Sequence, residues 1–297
     1  MKRLALFALV FASSLHAAAQ SVSYQGLWWN SPAGSQSGWG INIAHQGNIL
    51  FATWFTYDQD GHGMWLVMPD AEYIPSVDGG DPYYGGYGMM PPAMPTYSGT
   101  IYRTTGPAFD AAPFDATKVS AQAMGSGTFQ FSSADLGTFV YTINGATRGL
   151  AITRQVFSTP PDCTMGGAPS STPNFSDLWW HAPAGSESGW GVNLTQQGDI
   201  LFATWFTYDA SGRGMWLVMS NGARTGPHGW SGPIYRTSGP AFDGPWDNAK
   251  VTATQVGTAT FDFADSSNGT FSATVDGHAV SAPITRQVYS MPASVCR

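Results

Sequence analysis

Charge is what this sequence has least of. Only 10% of its residues are Asp, Glu, Lys or Arg, against roughly 25% in an average soluble domain. The 12 basic residues are outnumbered by 19 acidic ones, for a net charge of -7. No cationic excess exists to neutralise phosphates, which excludes nucleic acid as a partner. Cysteine is nearly absent, with two in 297 residues. Past the N-terminus no apolar run is long enough to cross a bilayer as a helix, so no transmembrane segment is expected. Sustained helical periodicity is missing, as are the G-x-S-x-G elbow, the P-loop and the dinucleotide fingerprint. What the chain does have is 36 Gly, 20 Pro and 14% aromatics, 12 of them Trp, a composition of strands and turns.

The first residues read as a targeting segment. Met1-Lys2-Arg3 is a basic head, Leu4 to Leu15 an apolar run, and Ala17-Ala18-Ala19 a small-residue cleavage site, the three-part pattern of a secretory signal peptide. Residues 1–19 are therefore set aside. The expected location is secreted or periplasmic, where disulfides persist.

The rest is one unit written twice. Comparing 26–68 with 177–219, 31 of 43 positions are identical, which rules out a chance likeness. ILFATWFTYD stands at 49–58 and again at 200–209. SGTIYRTTGPAFD (98–110) answers SGPIYRTSGPAFD (231–243), and Ile152 to Val156 answer Ile284 to Val288. The expected domains are unit 1 at 20–157, with a Tyr/Gly/Met/Pro-rich insert at 69–97, a linker at 158–176, and unit 2 at 177–297. The pattern predicts an all-β fold of two tandem antiparallel meanders. Each has about eight strands, in copy one near 24–29, 37–46, 49–58, 63–69, 97–104, 118–132, 136–144 and 147–157. Asn144-Gly145 is a tight hairpin signal. In 51–57 both alternating faces are apolar, so one face fills an interior and the other packs on a neighbour. Closure into a barrel removes the edges such strands would expose; a β-sandwich is the alternative.

Cys163 and Cys296 each follow the last strand of a unit. In an exported chain the expectation is a Cys163–Cys296 bridge that ties the linker to the C-terminal tail.

No histidine is held in both copies: His45 answers Gln196, His62 answers Arg213, and His181 answers Asn30. A duplicated zinc or acid–base site is therefore not expected, although a site in one copy remains open. Asp58 to Gly63 begins like a calcium loop but has Pro69 at the twelfth position, so it reads as a hairpin turn. Asp110 and Asp243, closing GPAFD, are expected to cap turns. Met89, Met90 and Met94 are soft ligands without a supporting Cys or His, so no metal and no cofactor are expected.

Candidate ligand contacts are the copy-matched aromatics Trp28, Trp29, Trp39 and Trp54 with Trp179, Trp180, Trp190 and Trp205. Neighbouring Trp28 and Trp29 must point to opposite faces of a strand. The alternative for all of them is core packing. Asn42 shares a small, polar strip beside Trp39 with Gly38 and Gly40 that admits either a ligand or a close-packed backbone, and Asn193 is its copy-two counterpart. Arg103, Arg154, Arg236 and Arg286 either grip a polar ligand or form structural clasps, with Asp58 or Asp110 as the expected partner of Arg154.

LWW, SGWG, FATWFTYD and MWLVM resemble a Trp-rich repeat of exported bacterial proteins, single or tandem, and the likeness spans nearly all of both units. It implies no activity. Gly26-Leu27-Trp28 also resembles the G-x-W opening of lipocalin and avidin barrels, which implies an eight-stranded barrel; Asp177 replaces that Gly in copy two. The functional expectation is a non-enzymatic binding or adhesion protein whose Trp residues contact a glycan or a small apolar ligand. The alternatives are a structural or matrix component that associates with a cell surface or itself, and a hydrolase with one active copy.

Overall fold

The structure, a computed structural model, describes residues 22–75, 94–168 and 172–297. Residues 1–19, expected to be a targeting segment, and most of the insert, Met89 and Met90 included, lie outside the described residues. Strands β1 (Gly26–Asn30), β2 (Gly40–Gln46), β3 (Ile49–Tyr57), β4 (Gly63–Ile74), β5 (Thr96–Thr105), β6 (Ser120–Phe131), β7 (Leu136–Ile143) and β8 (Ala146–Arg154) run antiparallel in sequence order. β8 pairs back onto β1, Trp28 opposite Arg154, and closes barrel 1. A two-stranded sheet follows, made by β9 (Cys163–Met165) and the last strand, β18 (Ser294–Cys296). Between them β10 (Asp177–His181), β11 (Gly191–Gln197), β12 (Ile200–Tyr208), β13 (Gly214–Gly226), β14 (Gly229–Ser238), β15 (Thr252–Phe263), β16 (Asn268–Val275) and β17 (His278–Arg286) close barrel 2 in the same way. The fold is thus the closed barrel and not the open sandwich.

Turn chemistry sets the meander. Asp58 Oδ1 accepts the backbone N–H groups of Asp60 and His62, and Asp209 Oδ1 those of Ser211 and Arg213, so each carboxylate stands in for the missing strand partners. Asn144 and Asp276 take the left-handed conformation, both with φ 51°, and a glycine follows each, as a tight hairpin requires. Inside, barrel 1 is packed solid by Trp28, Trp54, Phe129, Phe131 and Phe139, leaving a void of only about 10 Å³. Eight strands enclose just enough room for side chains.

The two apolar faces of β3 and β12 are both used. Trp54 and Trp205 point into their barrels, while Phe55, Tyr57, Phe206 and Tyr208 join Leu27, Trp65 and Trp216 in a third core between the barrels. The junction is a pseudo-twofold. Trp65 Nε1 donates to Thr207 O at 3.0 Å and Trp216 Nε1 to Thr56 O at 2.9 Å. Asn42 Nδ2 reaches Thr204 Oγ1 and Asn193 Nδ2 reaches Thr53 Oγ1. Gln46 holds the backbone of 287–290, and Gln197 that of 155–158. Each unit's exit segment is therefore clamped by the other unit's barrel. The Cys163–Cys296 disulfide lies in register between β9 and β18.

The loop after β5 crosses to the other barrel. Phe109 N donates to Tyr208 O, and Phe242 N to Tyr57 O. The Phe109 ring meets Trp205 edge-on at 5.7 Å, and the Phe242 ring meets Trp54 at 5.5 Å. Each unit thus plugs the mouth of its neighbour's barrel. Asp110 and Asp243 do not cap their own turns as expected. Asp110 pairs with His278 at 3.1 Å, and Asp243 accepts from Gln59 at 2.6 Å, each beside the barrel its loop plugs or the hairpin beside that barrel.

Candidate functional site

The candidate residues fall into five places. Trp28 and Trp179 are fully buried inside their barrels, their indoles donating to Tyr24 O and Phe175 O. Arg154 and Arg286 lie over these rings at 5.0 and 4.9 Å and close the barrel end opposite the plugs. Arg154 donates to the carbonyls of Ser23, Gln25 and Ala134 and pairs with Asp135, not with Asp58 or Asp110. Arg286 donates to the carbonyls of Asn174, Ser176 and Ser266 and pairs with the buried Asp177. Burial pushes the Asp177 carboxyl upward and the Arg286 guanidinium pulls against it.

Asn42 and Asn193 bridge the barrels as described. Their glycine neighbours are close-packed: a Cβ on Gly38 would lie 2.6 Å from Val251, and one on Gly189 would lie 2.5 Å from Val119. Trp29 and Trp180 are half-buried on the outside of the strands. Trp180 walls an apolar crevice of about 210 Å³ between the barrels, with Phe51, Trp65 and Phe206. Arg236 pairs with Asp276 at 2.7 Å. Arg103, its copy-one counterpart, sits opposite Leu66 and Gln122, with Asn144 in place of the acid.

The fifth place is the barrel mouth, and here the copies part. In barrel 1, Trp39 is 4% exposed and Trp54 is 5% exposed. Tyr141 packs on Trp54 at 4.8 Å and faces Phe242 at 6.4 Å. Leu150 packs against the same cluster, and Arg148 Nη2 donates to the carbonyl of Asp243 on the plug. In barrel 2 the matching residues are Ala273, Ala282 and Val280. A cavity of about 260 Å³ opens there, lined by Phe109, Phe114, Trp190, Trp205, Val280 and Ala282. Trp190 is correspondingly less buried than Trp39.

Polar groups change with the volume. Asn30 and Gln36 of barrel 1 become His181 and Glu187, which also line the cavity. Glu187 Oε2 accepts the Trp190 indole N–H at 3.0 Å, and Glu187 Oε1 stands 3.6 Å from His181 Nε2. His181 Nδ1 meets Ser186 Oγ at 2.9 Å. That contact repeats the Asn30–Ser35 bond of copy one, so it pins the loop in both units. Next to the cavity, and sharing Phe109 and Asp110 as a wall, a cleft of about 500 Å³ carries His62, Arg236, Asp276 and His278. Sequence reasoning sought chemistry held in both copies. Glu187 and His278 escaped it, although each stands where copy one has a neutral residue, Gln36 or Ala146.

No family model, curated protein or solved structure matches the chain significantly.

Proposed function

We propose that this chain is an exported, small-molecule-binding protein with one ligand site, at the mouth of barrel 2. The observation that carries this reading is the cavity of about 260 Å³ there, at a position that the other barrel fills with its own Tyr141, Arg148 and Leu150. Two symmetric barrels built from matched residues have no packing reason to differ at one end, and a void costs stability that a larger side chain would restore. An aromatic cavity with a few convergent polar groups is the ordinary form of a ligand site. Trp190 and Trp205 offer flat apolar faces, Glu187 and Ser281 offer hydrogen bonds, and the occupant is a compact molecule with an apolar face of its own. Neither Trp29 nor Trp180 lines this cavity, and Trp180 walls the crevice between the barrels instead. The disulfide is compatible with an oxidising compartment.

The test is a tryptophan-fluorescence titration with small sugars, small aromatic compounds and small organic cations. The parent is compared with an Ala282→Leu variant, which restores the copy-one residue. Saturable quenching in the parent that disappears in the variant supports the site. Quenching that survives Ala282→Leu places the ligand elsewhere and overturns the reading.

A further inference from the structure

Resting on that site, the differences between the two barrel mouths bear on the chemistry of the ligand. Barrel 1 shows what such a mouth accepts. Its Arg148 lays a guanidinium over the opening, donating to the plug carbonyl of Asp243, close enough to the Tyr141 hydroxyl to act on it electrostatically. Barrel 2 keeps the plug, with Asp110 at the equivalent position, and has Val280 where the arginine stood. It also exchanges Gln36 for Glu187. Each exchange moves the second mouth one charge toward negative, one by removing a cation and one by adding an anion.

The cavity therefore has the room and the carbonyl that a guanidinium uses next door, plus a carboxylate that barrel 1 lacks. Around them stand the faces and edges of Trp190, Trp205, Phe109 and Phe114. Aromatic walls with a carboxylate favour an organic cation, which is held by ring quadrupoles as well as by charge. The planar guanidinium fits a carboxylate and a carbonyl together through its fork of donors. No Lys or Arg lines this cavity. We infer that the mouth of barrel 2 binds a small organic cation of the guanidinium or alkylammonium type, seated between the Trp190 indole, Glu187 and the plug.

The experiment uses the full chain at pH 8 and low salt. Ethylguanidinium is titrated against its neutral counterpart ethylurea and against glucose, with calorimetry alongside tryptophan fluorescence. Ethylguanidinium is expected to bind at least tenfold more tightly than ethylurea. Glu187→Gln, the copy-one residue, is expected to weaken it tenfold or more. Val280→Arg is expected to abolish it, because the new side chain brings its own guanidinium. Ala282→Leu serves as the second blocking variant should Val280→Arg melt early. Equal binding of ethylurea or glucose, lost in the blocking variants but unmoved by Glu187→Gln, overturns the cation and leaves the site standing. Binding that persists in both blocking variants, or no binding by any probe, overturns site and cation together.

Discussion

His45 puts a pH limit on barrel 1. The side chain is 2% exposed. Its Nδ1 accepts the Tyr24 backbone N–H at 3.2 Å, which leaves the proton on Nε2, facing the Tyr97 hydroxyl at 3.2 Å. The Tyr24 ring stacks on it and the Tyr97 ring meets it edge-on. No carboxylate pairs with it among the described residues, so burial dominates and pulls its pKa down to about 4. An imidazole depressed in the folded state keeps its stabilising effect above the unfolded value, near 6.5, and loses it as pH falls toward the folded value. The loss is about 2 kcal/mol at pH 5 and about 3 kcal/mol at pH 4, relative to pH 8. Copy two supplies the control. Gln196 stands at the equivalent position, and its Oε1 accepts Phe175 N at 3.0 Å, so a glutamine makes the same backbone contact without titrating. His45→Gln costs about 1 kcal/mol at pH 8 through the orphaned Tyr97 hydroxyl. Tyr97→Trp, added to it, reproduces the copy-two pair of Gln196 and Trp230. Urea denaturation of parent and variants at pH 8, 6, 5 and 4 reads the difference, and every other titrating group, Asp177 included, cancels in it. The parent is expected to lose about 2 kcal/mol more than His45→Gln between pH 8 and 5. Parallel pH profiles would refute the reasoning.

Arg286→Met leaves Asp177, whose side chain is 1% exposed, as a buried carboxylate without a counter-ion and should cost about 3–5 kcal/mol by denaturant titration. Arg154→Met should cost less, because Asp135 is 69% exposed and returns to water. Removing the disulfide as Cys163→Ser/Cys296→Ser frees a closed loop with a sequence separation of 133. It should lower stability by about 4–5 kcal/mol on the chain-entropy account, a loss that reductant reproduces in the parent. Trp65→Phe and Trp216→Phe each remove an indole donor to the other barrel's backbone and should cost about 1–3 kcal/mol. Because Phe109 and Phe242 are exchanged between the barrels, both barrels should still melt in one calorimetric transition. Ala273→Tyr puts the copy-one residue back under the open mouth; it should raise stability by about 0.5–2 kcal/mol and abolish ligand binding, the usual opposition of stability and function.

The fold could be read from the sequence because its signals are local. Asn144-Gly145 and the Asp58 turn mark strand ends, the repeat fixes the number of strands twice over, and apolar residues on both faces of 51–57 demand a barrel interior and a neighbour. The neighbour's identity was not local. Nothing within Gly106 to Asp110 says that Phe109 leaves its own barrel for the other, or that Asp110 will find His278. Arg154 was legible as a buried strand arginine, but its partner Asp135 stands in the turn between β6 and β7 and comes opposite it through the β7–β8 register, Leu136 against Thr153, which the turn signals alone do not assign. The mouth was obscured by the very comparison that revealed the fold. Identity between copies reports what each barrel needs in order to close and to pair, and Trp28, Trp54, Trp65 and Asn42 are of that kind. Once both units are locked in one pseudo-symmetric body, the second copy is released from repeating what the first supplies. Tyr141 against Ala273, Arg148 against Val280 and Gln36 against Glu187 are scattered along the chain, yet they meet at one barrel end. In a duplicated fold the matched residues build the scaffold, so mismatches that converge in space are where a ligand has to be sought.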